Sequence, residues 1–166
     1  MQRRQFVYTS LLTGAAALFT LKKSFAAPSQ DVSHRASFKN PQVAEKIAAV
    51  QQTIQDCLKK GETCRKHCED RLAAGDSIFE KCLFNVQQML LLCDVTGKLA
   101  AIQSPLLPQT LNSCISSLES CRDACLEHKA HFAHGMHLEC KACAEACAQC
   151  LTACNQLKTA LSNTSA

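Results

Sequence analysis

The chain carries thirteen cysteines in 166 residues, and their spacing suits a soft metal better than it suits disulfides. Four pairs follow C-x-x-x-C: Cys64/Cys68, Cys121/Cys125, Cys143/Cys147 and Cys150/Cys154. Two C-x-x-C pairs, Cys140/Cys143 and Cys147/Cys150, share members with them. Side chains three or four residues apart on a helix have Cβ atoms roughly 5–6 Å apart. A relaxed disulfide wants roughly 3.5–4.5 Å. Bonds between helices remain open, and export to an oxidising compartment would permit them, but an odd count leaves at least one thiol over.

A metal relieves that mismatch. Two thiolates sharing one ion can lie as far apart as two metal–sulfur bonds, about 4.5 Å if each is about 2.3 Å as for zinc. All-thiolate ligation selects copper(I), zinc or iron–sulfur chemistry. Zinc asks for four ligands in a tetrahedron, whereas a helical seam offers thiols in a line, so a low-coordinate ion such as copper(I) suits the pattern best. Two alternatives stand beside it: a zinc-sequestering, metallothionein-like protein, and an iron–sulfur electron-transfer protein using the run Cys140 to Cys154. Such runs normally wrap a cluster from a loop, and no glycine or proline opens this one. Cysteine as plain filler is a poor account of thirteen positions, because leucine or isoleucine buries more apolar area without the redox liability.

Charge leads the same way. Thirteen bare thiolates in a low-dielectric core would repel one another and suffer heavy desolvation. Each monovalent copper offsets one thiolate, so loading is expected to approach one ion per cysteine, with several ions per chain. Without metal the thiols would stay protonated and the protein should fold on its own.

The elements that must position these thiols read as helices throughout. Residues 27–39 are polar and irregular and read as a flexible tail. Asn40-Pro41 supplies an N-cap and a proline at the first helical position, and a helix can run to about Ala74. After Gly75, with Asp76 or Ser77 as cap, a second runs to about Ile102. Gln103-Ser104-Pro105 breaks the chain, a third helix follows from about Pro108 to His134, and beyond Gly135 a fourth runs from about Met136 to Asn163. A shift of 57 positions lays Cys57 on Cys114, Cys64-Arg65 on Cys121-Arg122, Cys68 on Cys125 and Cys93 on Cys150. One helical hairpin is therefore used twice, and two hairpins pack as an all-α, up-down-up-down four-helix bundle over residues 40–163.

The heptad seams decide which way the thiols face. They comprise Cys57, Cys64 and Cys68 on the first helix, Cys82 and Cys93 with Val86 and Met89 on the second, Cys114, Cys121 and Cys125 on the third, and Cys140, Cys143, Cys147, Cys150 and Cys154 on the fourth. All thirteen are expected inside one core, as metal ligands.

The N-terminus has the pattern of a targeting segment. Arg3-Arg4-Gln5-Phe6 precedes an apolar run from Leu11 to Leu21 and a small-residue site at Ser24-Phe25-Ala26. The paired arginines point to a twin-arginine signal peptide over residues 1–26 and to the periplasm. An apolar run of about eleven residues falls short of the roughly 20 that span a bilayer, so no stable membrane insertion is expected. Removing Arg3, Arg4, Lys22 and Lys23 from the 18 basic residues leaves 14, equal to the acidic count. The mature chain is near neutral and offers no basic face for nucleic acid. No catalytic constellation is evident, so the chain reads as a binding protein and not an enzyme.

Taken together, the C-x-x-x-C pairs, the all-cysteine seam of the fourth helix and the Arg3-Arg4 signal resemble the copper storage protein family, over about residues 41–160. The resemblance implies copper(I) held inside the bundle, a homotetramer of bundles, and a role in buffering copper or supplying it to cuproenzymes, with a copper chaperone or recipient cuproenzyme as partner. It also implies histidine or methionine side chains at one open bundle end that help copper in. The candidates here are His128, His131, His134, Met136 and His137 around Gly135, where imidazole and thioether would act as exchangeable ligands. The plainer account of that stretch is a solvated polar turn, with His128 as a charge partner of a helix C-terminus. His67, one position off the seam, reads as a surface residue, and His34 as part of the tail.

Overall fold

The computed structural model describes residues 38–164. Among the described residues four α-helices pack together: α1 (Pro41–Ala73), α2 (Glu80–Ala101), α3 (Leu107–Leu126) and α4 (Leu138–Thr164). Helix α1 packs on α2 and α4, and α3 packs on the same two, so the four stand at the corners of a square with little contact across the diagonals. The proposed signal peptide and most of the proposed tail lie outside the described residues. The last part of that tail departs from expectation, because Phe38 is buried against the core.

Helix α1 starts where the sequence says it should. The Asn40 side-chain oxygen accepts from the Gln42 N–H at 2.9 Å, and Pro41 occupies the position whose N–H would have no helical partner. Three connections then reuse one device, the Schellman turn, in which a residue in the left-handed region lets two N–H groups fold back on the last carbonyls. After α1, Gly75 (φ 89°) donates to Leu72 and Asp76 donates to Arg71. After α2, Gln103 (φ 50°) and Ser104 donate to Ala100 and Leu99. Before α4, Gly135 (φ 72°) and Met136 donate to Phe132 and His131.

Two boundaries differ from the sequence reading. Helix α3 stops at Leu126 instead of running to His134, and residues Lys129–His134 tighten into a 3-10 segment, so α4 begins at Leu138 and not at Met136. The cause is packing: His128 turns inward and stacks on Phe79, with ring centroids 4.3 Å apart and planes 12° apart. The second correction concerns Asp76, which makes no capping bond. Its carboxylate accepts from Arg71 at 2.6 Å, and the short 3-10 turn Ser77–Phe79 leads into α2.

The two ends of the bundle are chemically unlike. Where the chain enters α1 and passes from α2 to α3, the interior is closed by Val43, Ile47, Val50, Leu107, Leu111, Leu157 and Leu161, all buried. At roughly 1.5–3 kcal/mol for each large side chain fully buried, this plug alone favours folding without metal. The opposite end holds the α1–α2 turn and the α3–α4 connection, and is lined by histidine and Phe79.

Candidate metal core

All thirteen cysteines are buried with free thiols, at the interior positions assigned from the heptads. The closest pairs of cysteine sulfurs lie 3.6–3.9 Å apart, from Cys82–Cys125 at 3.6 Å to Cys64–Cys82 and Cys150–Cys154 at 3.9 Å. Disulfides need about 2.05 Å, so none of these pairs is bonded. Three sulfurs around one trigonal ion at about 2.3 Å each would stand about 4.0 Å apart, close to the observed spacing.

The thiols form one continuous network. Nearest the histidine end, Cys64, Cys68, Cys82 and Cys140 lie within 4.8 Å of one another, and Cys64, Cys125 and Cys143 form the next group. Cys143 also belongs to the group Cys121, Cys143 and Cys147. Cys147 is 3.8 Å from Cys57, which neighbours Cys93 and Cys150. The deepest part comprises Cys93–Cys114 at 3.7 Å and Cys150–Cys154 at 3.9 Å. The expected single line of thiols therefore holds only in part, since the four-sulfur group near the histidines offers the number of ligands zinc prefers. Three helices, α1, α2 and α4, converge on that group, and a seam read one helix at a time does not show it.

Protons are shared unevenly along the network. Cys125 is pushed up by hydrogen bonding with Cys121, Cys140, Cys143 and Cys64 and by burial, and Cys93 by Cys114, Cys150, Cys57 and burial. Cys140 is pulled down to about 4 by hydrogen bonds from Cys125, Cys64 and Cys68, and Cys114 to about 4 by those from Cys154 and Cys93. Raised thiols must release their protons when a cation binds.

Above the four-sulfur group lies a cluster of rings. Phe79 is fully buried, stacked on His128 and edge-on to His137 at 4.9 Å and to His67 at 5.4 Å. The His67 Nε2 and His137 Nδ1 atoms form a hydrogen bond at 3.1 Å, and His67 Nδ1 lies 3.4 Å from the Glu139 carboxylate. His67 is thus not the surface residue expected, its side chain being 18% exposed. Burial, then the nearby His67, lowers the basicity of His137, which favours the neutral ring that can bind a metal. His131, Met136 and His137 share one surface depression with His67, Arg71 and Glu139, while His128 is buried beneath it. His134 is exposed and does not line that depression.

Sequence reasoning missed Phe79 and Glu139. Phe79 had a weak signal as an aromatic residue two positions after the polar turn Gly75-Asp76-Ser77, in a chain only 5% aromatic.

A core of this composition can be compared with known proteins. The family model described as copper storage protein matches residues 43–159. The chain belongs to the copper storage protein family. A similar solved structure is that of the copper storage protein from Streptomyces lividans loaded with 10 copper equivalents, with a TM-score of 0.63, 23% identity, and coverage of 72% of this chain and 89% of that one. At 23% identity that likeness shows the shared fold. No curated protein matches the chain. Copper storage proteins hold copper, and the buried core of this one offers several groups of cysteines spaced to bind a metal ion.

Proposed function

We propose that the chain stores copper(I) as a thiolate-bridged column ligated by all thirteen cysteines, loaded through the histidine end. The observation that carries this reading is the run of buried sulfurs along the bundle core, with close pairs 3.6–3.9 Å apart and groups whose sulfurs lie within 4.8 Å of one another. Bridging thiolates let each monovalent ion neutralise one sulfur, so a filled core approaches about one copper per cysteine and near-zero internal charge. The relative from Streptomyces lividans, loaded with 10 copper equivalents, supports a many-ion core. His67, His128, His131 and His137, with Met136 on the rim, take copper from solvent or a chaperone as exchangeable ligands and pass it to Cys68, Cys82 and Cys140. The role is storage and buffering, with supply to a recipient cuproenzyme, and involves no catalysis.

The test is an anaerobic titration of the reduced protein with copper(I), following thiolate-to-copper absorbance and metal per chain. Tight uptake continuing to about one copper per cysteine, with zinc held at no more than one equivalent and displaced by copper, is the expected result. Saturation at three or four ions, or preference for zinc, overturns it.

Two further parts of the reading concern where the protein works and in what assembly. Arg3-Arg4 and the short apolar run support export by the twin-arginine route to the periplasm. That route carries folded proteins, so the core can close while its thiols are reduced. Phe84, Leu91, Val95 and Ile102 form one exposed apolar stripe along α2, with Leu91 at 70% and Ile102 at 73% exposure, which supports association with further copies into a tetramer. A Leu91→Lys variant is expected to lower the mass measured by light scattering while leaving helix content unchanged.

A further inference from the structure

The network narrows at one level. Toward the histidine end stand seven thiols, Cys64, Cys68, Cys82, Cys121, Cys125, Cys140 and Cys143, and toward the aliphatic end four, Cys93, Cys114, Cys150 and Cys154; Cys57 and Cys147 join the two sets. At this neck the fully buried positions contributed by α2 and α3 include Val86, Met89 and Leu118. The Met89 sulfur lies 3.4 Å from the Cys57 sulfur and accepts from its thiol. Room for it is made across the interface. A Cβ built on Gly61 would stand 2.6 Å from the Met89 methyl carbon and 2.9 Å from a Leu90 methyl, so the helix face that carries cysteine at 57, 64 and 68 is kept bare where Met89 passes.

We propose that Met89 is a copper ligand, its thioether completing a three-sulfur copper(I) site with Cys57 and Cys147 at the neck. This rests on the storage reading and adds a ligand that is not a cysteine. Two thiolates 3.8 Å apart are suitably spaced for a third donor, and a thioether is soft enough for copper(I). It also brings no charge: two thiolates and one copper(I) leave a single negative charge, and a neutral donor fills the coordination without increasing it in a dry core. Binding there displaces the thiol protons of Cys57 and Cys147, which leave to solvent, and copper stays in the +1 state. The site gives ions a continuous sulfur path between the outer seven thiols and the inner four.

Selenomethionine substitution tests this directly. The sequence has three methionines, Met1, Met89 and Met136. Full-length selenomethionine protein carrying Met136→Leu is loaded with copper(I) to saturation and its selenium K-edge absorption compared with that of a Met89→Leu, Met136→Leu protein treated alike. A selenium–copper shell at about 2.4 Å, near the bond lengths of soft donors, is expected in the first protein and absent from the second. Copper uptake with only carbon around selenium in both overturns the thioether site and leaves storage standing. Failure of the protein with all its methionines to take up copper overturns both readings. Leucine at position 89 conserves volume and should preserve the fold, which circular dichroism checks.

Discussion

Among single residues, His67 and His137 illustrate how a pair of weak ligands can control access without adding capacity. Their mutual hydrogen bond and the Glu139 contact hold the two rings together at one end of the bundle, and neither sits among the thirteen thiols. A His67→Ala, His137→Ala variant is expected to reach the same copper content as the parent but to load several-fold more slowly, measured by stopped-flow absorbance at limiting copper. An equal loss of rate and capacity would instead make the rings storage ligands. Phe79 sets the floor on which these rings rest, since its fully buried side chain touches His67, His128 and His137 at once.

At the level of helices and turns, the Schellman geometry fixes where α1 and α2 stop. Gly75 has φ 89° and nothing within 4 Å of an added Cβ, so Gly75→Ala should cost about 1 kcal/mol through left-handed backbone strain alone. Chemical denaturation of the metal-free protein should show it as a lower midpoint at unchanged slope. Much of this architecture was legible in the sequence. Cys64 and Cys68, or Cys143 and Cys147, declare their face by period, and Gly75, Gln103-Ser104-Pro105 and Gly135 declare the breaks. The end of α3 and the place of His67 were not legible, for a common reason. Heptad position gives the angle of a side chain around its own helix but not what the connections beyond the helix end bring against it. His128 leaves the α-helix to stack on Phe79, and His67 meets Phe79 and His137, partners supplied by two different connections. The four-sulfur group escaped for a related reason, because convergence of Cys64, Cys68, Cys82 and Cys140 depends on the relative heights of three helices.

For the whole molecule, the thiol network couples copper content to pH. Seven thiols, Cys64, Cys68, Cys93, Cys121, Cys125, Cys147 and Cys154, are raised in the folded state. Each contributes stability that is whole below the unfolded thiol value of about 8.5 and is lost as pH rises above it. Five, Cys82, Cys114, Cys140, Cys143 and Cys150, are lowered and act in the opposite sense, with stability that is full above about 8.5 and lost as pH falls. The raised set is larger, so the melting temperature of the metal-free protein should fall above about pH 8.5, and copper loading should remove that alkaline limb. Calorimetry of both forms from pH 7 to 10 checks it, where pH 7 to 10 is roughly the range spanning free-thiol ionisation. Uptake should also release about one proton for each copper bound at a raised thiol, so acidification weakens retention.

The unlike ends of the bundle have a consequence for the order in which ions move. One end is sealed by Val43, Ile47, Leu107, Leu111, Leu157 and Leu161, and the other opens on histidines. A column with a single door behaves as a stack, last in and first out. Protein half-filled with copper-63, topped up with copper-65 and then stripped briefly by a copper(I) chelator should surrender mainly copper-65, as read by mass spectrometry of the released metal. The most recently acquired copper would then be the fraction in fast exchange with the surroundings, and the innermost ions a reserve reached only when the outer ones are gone.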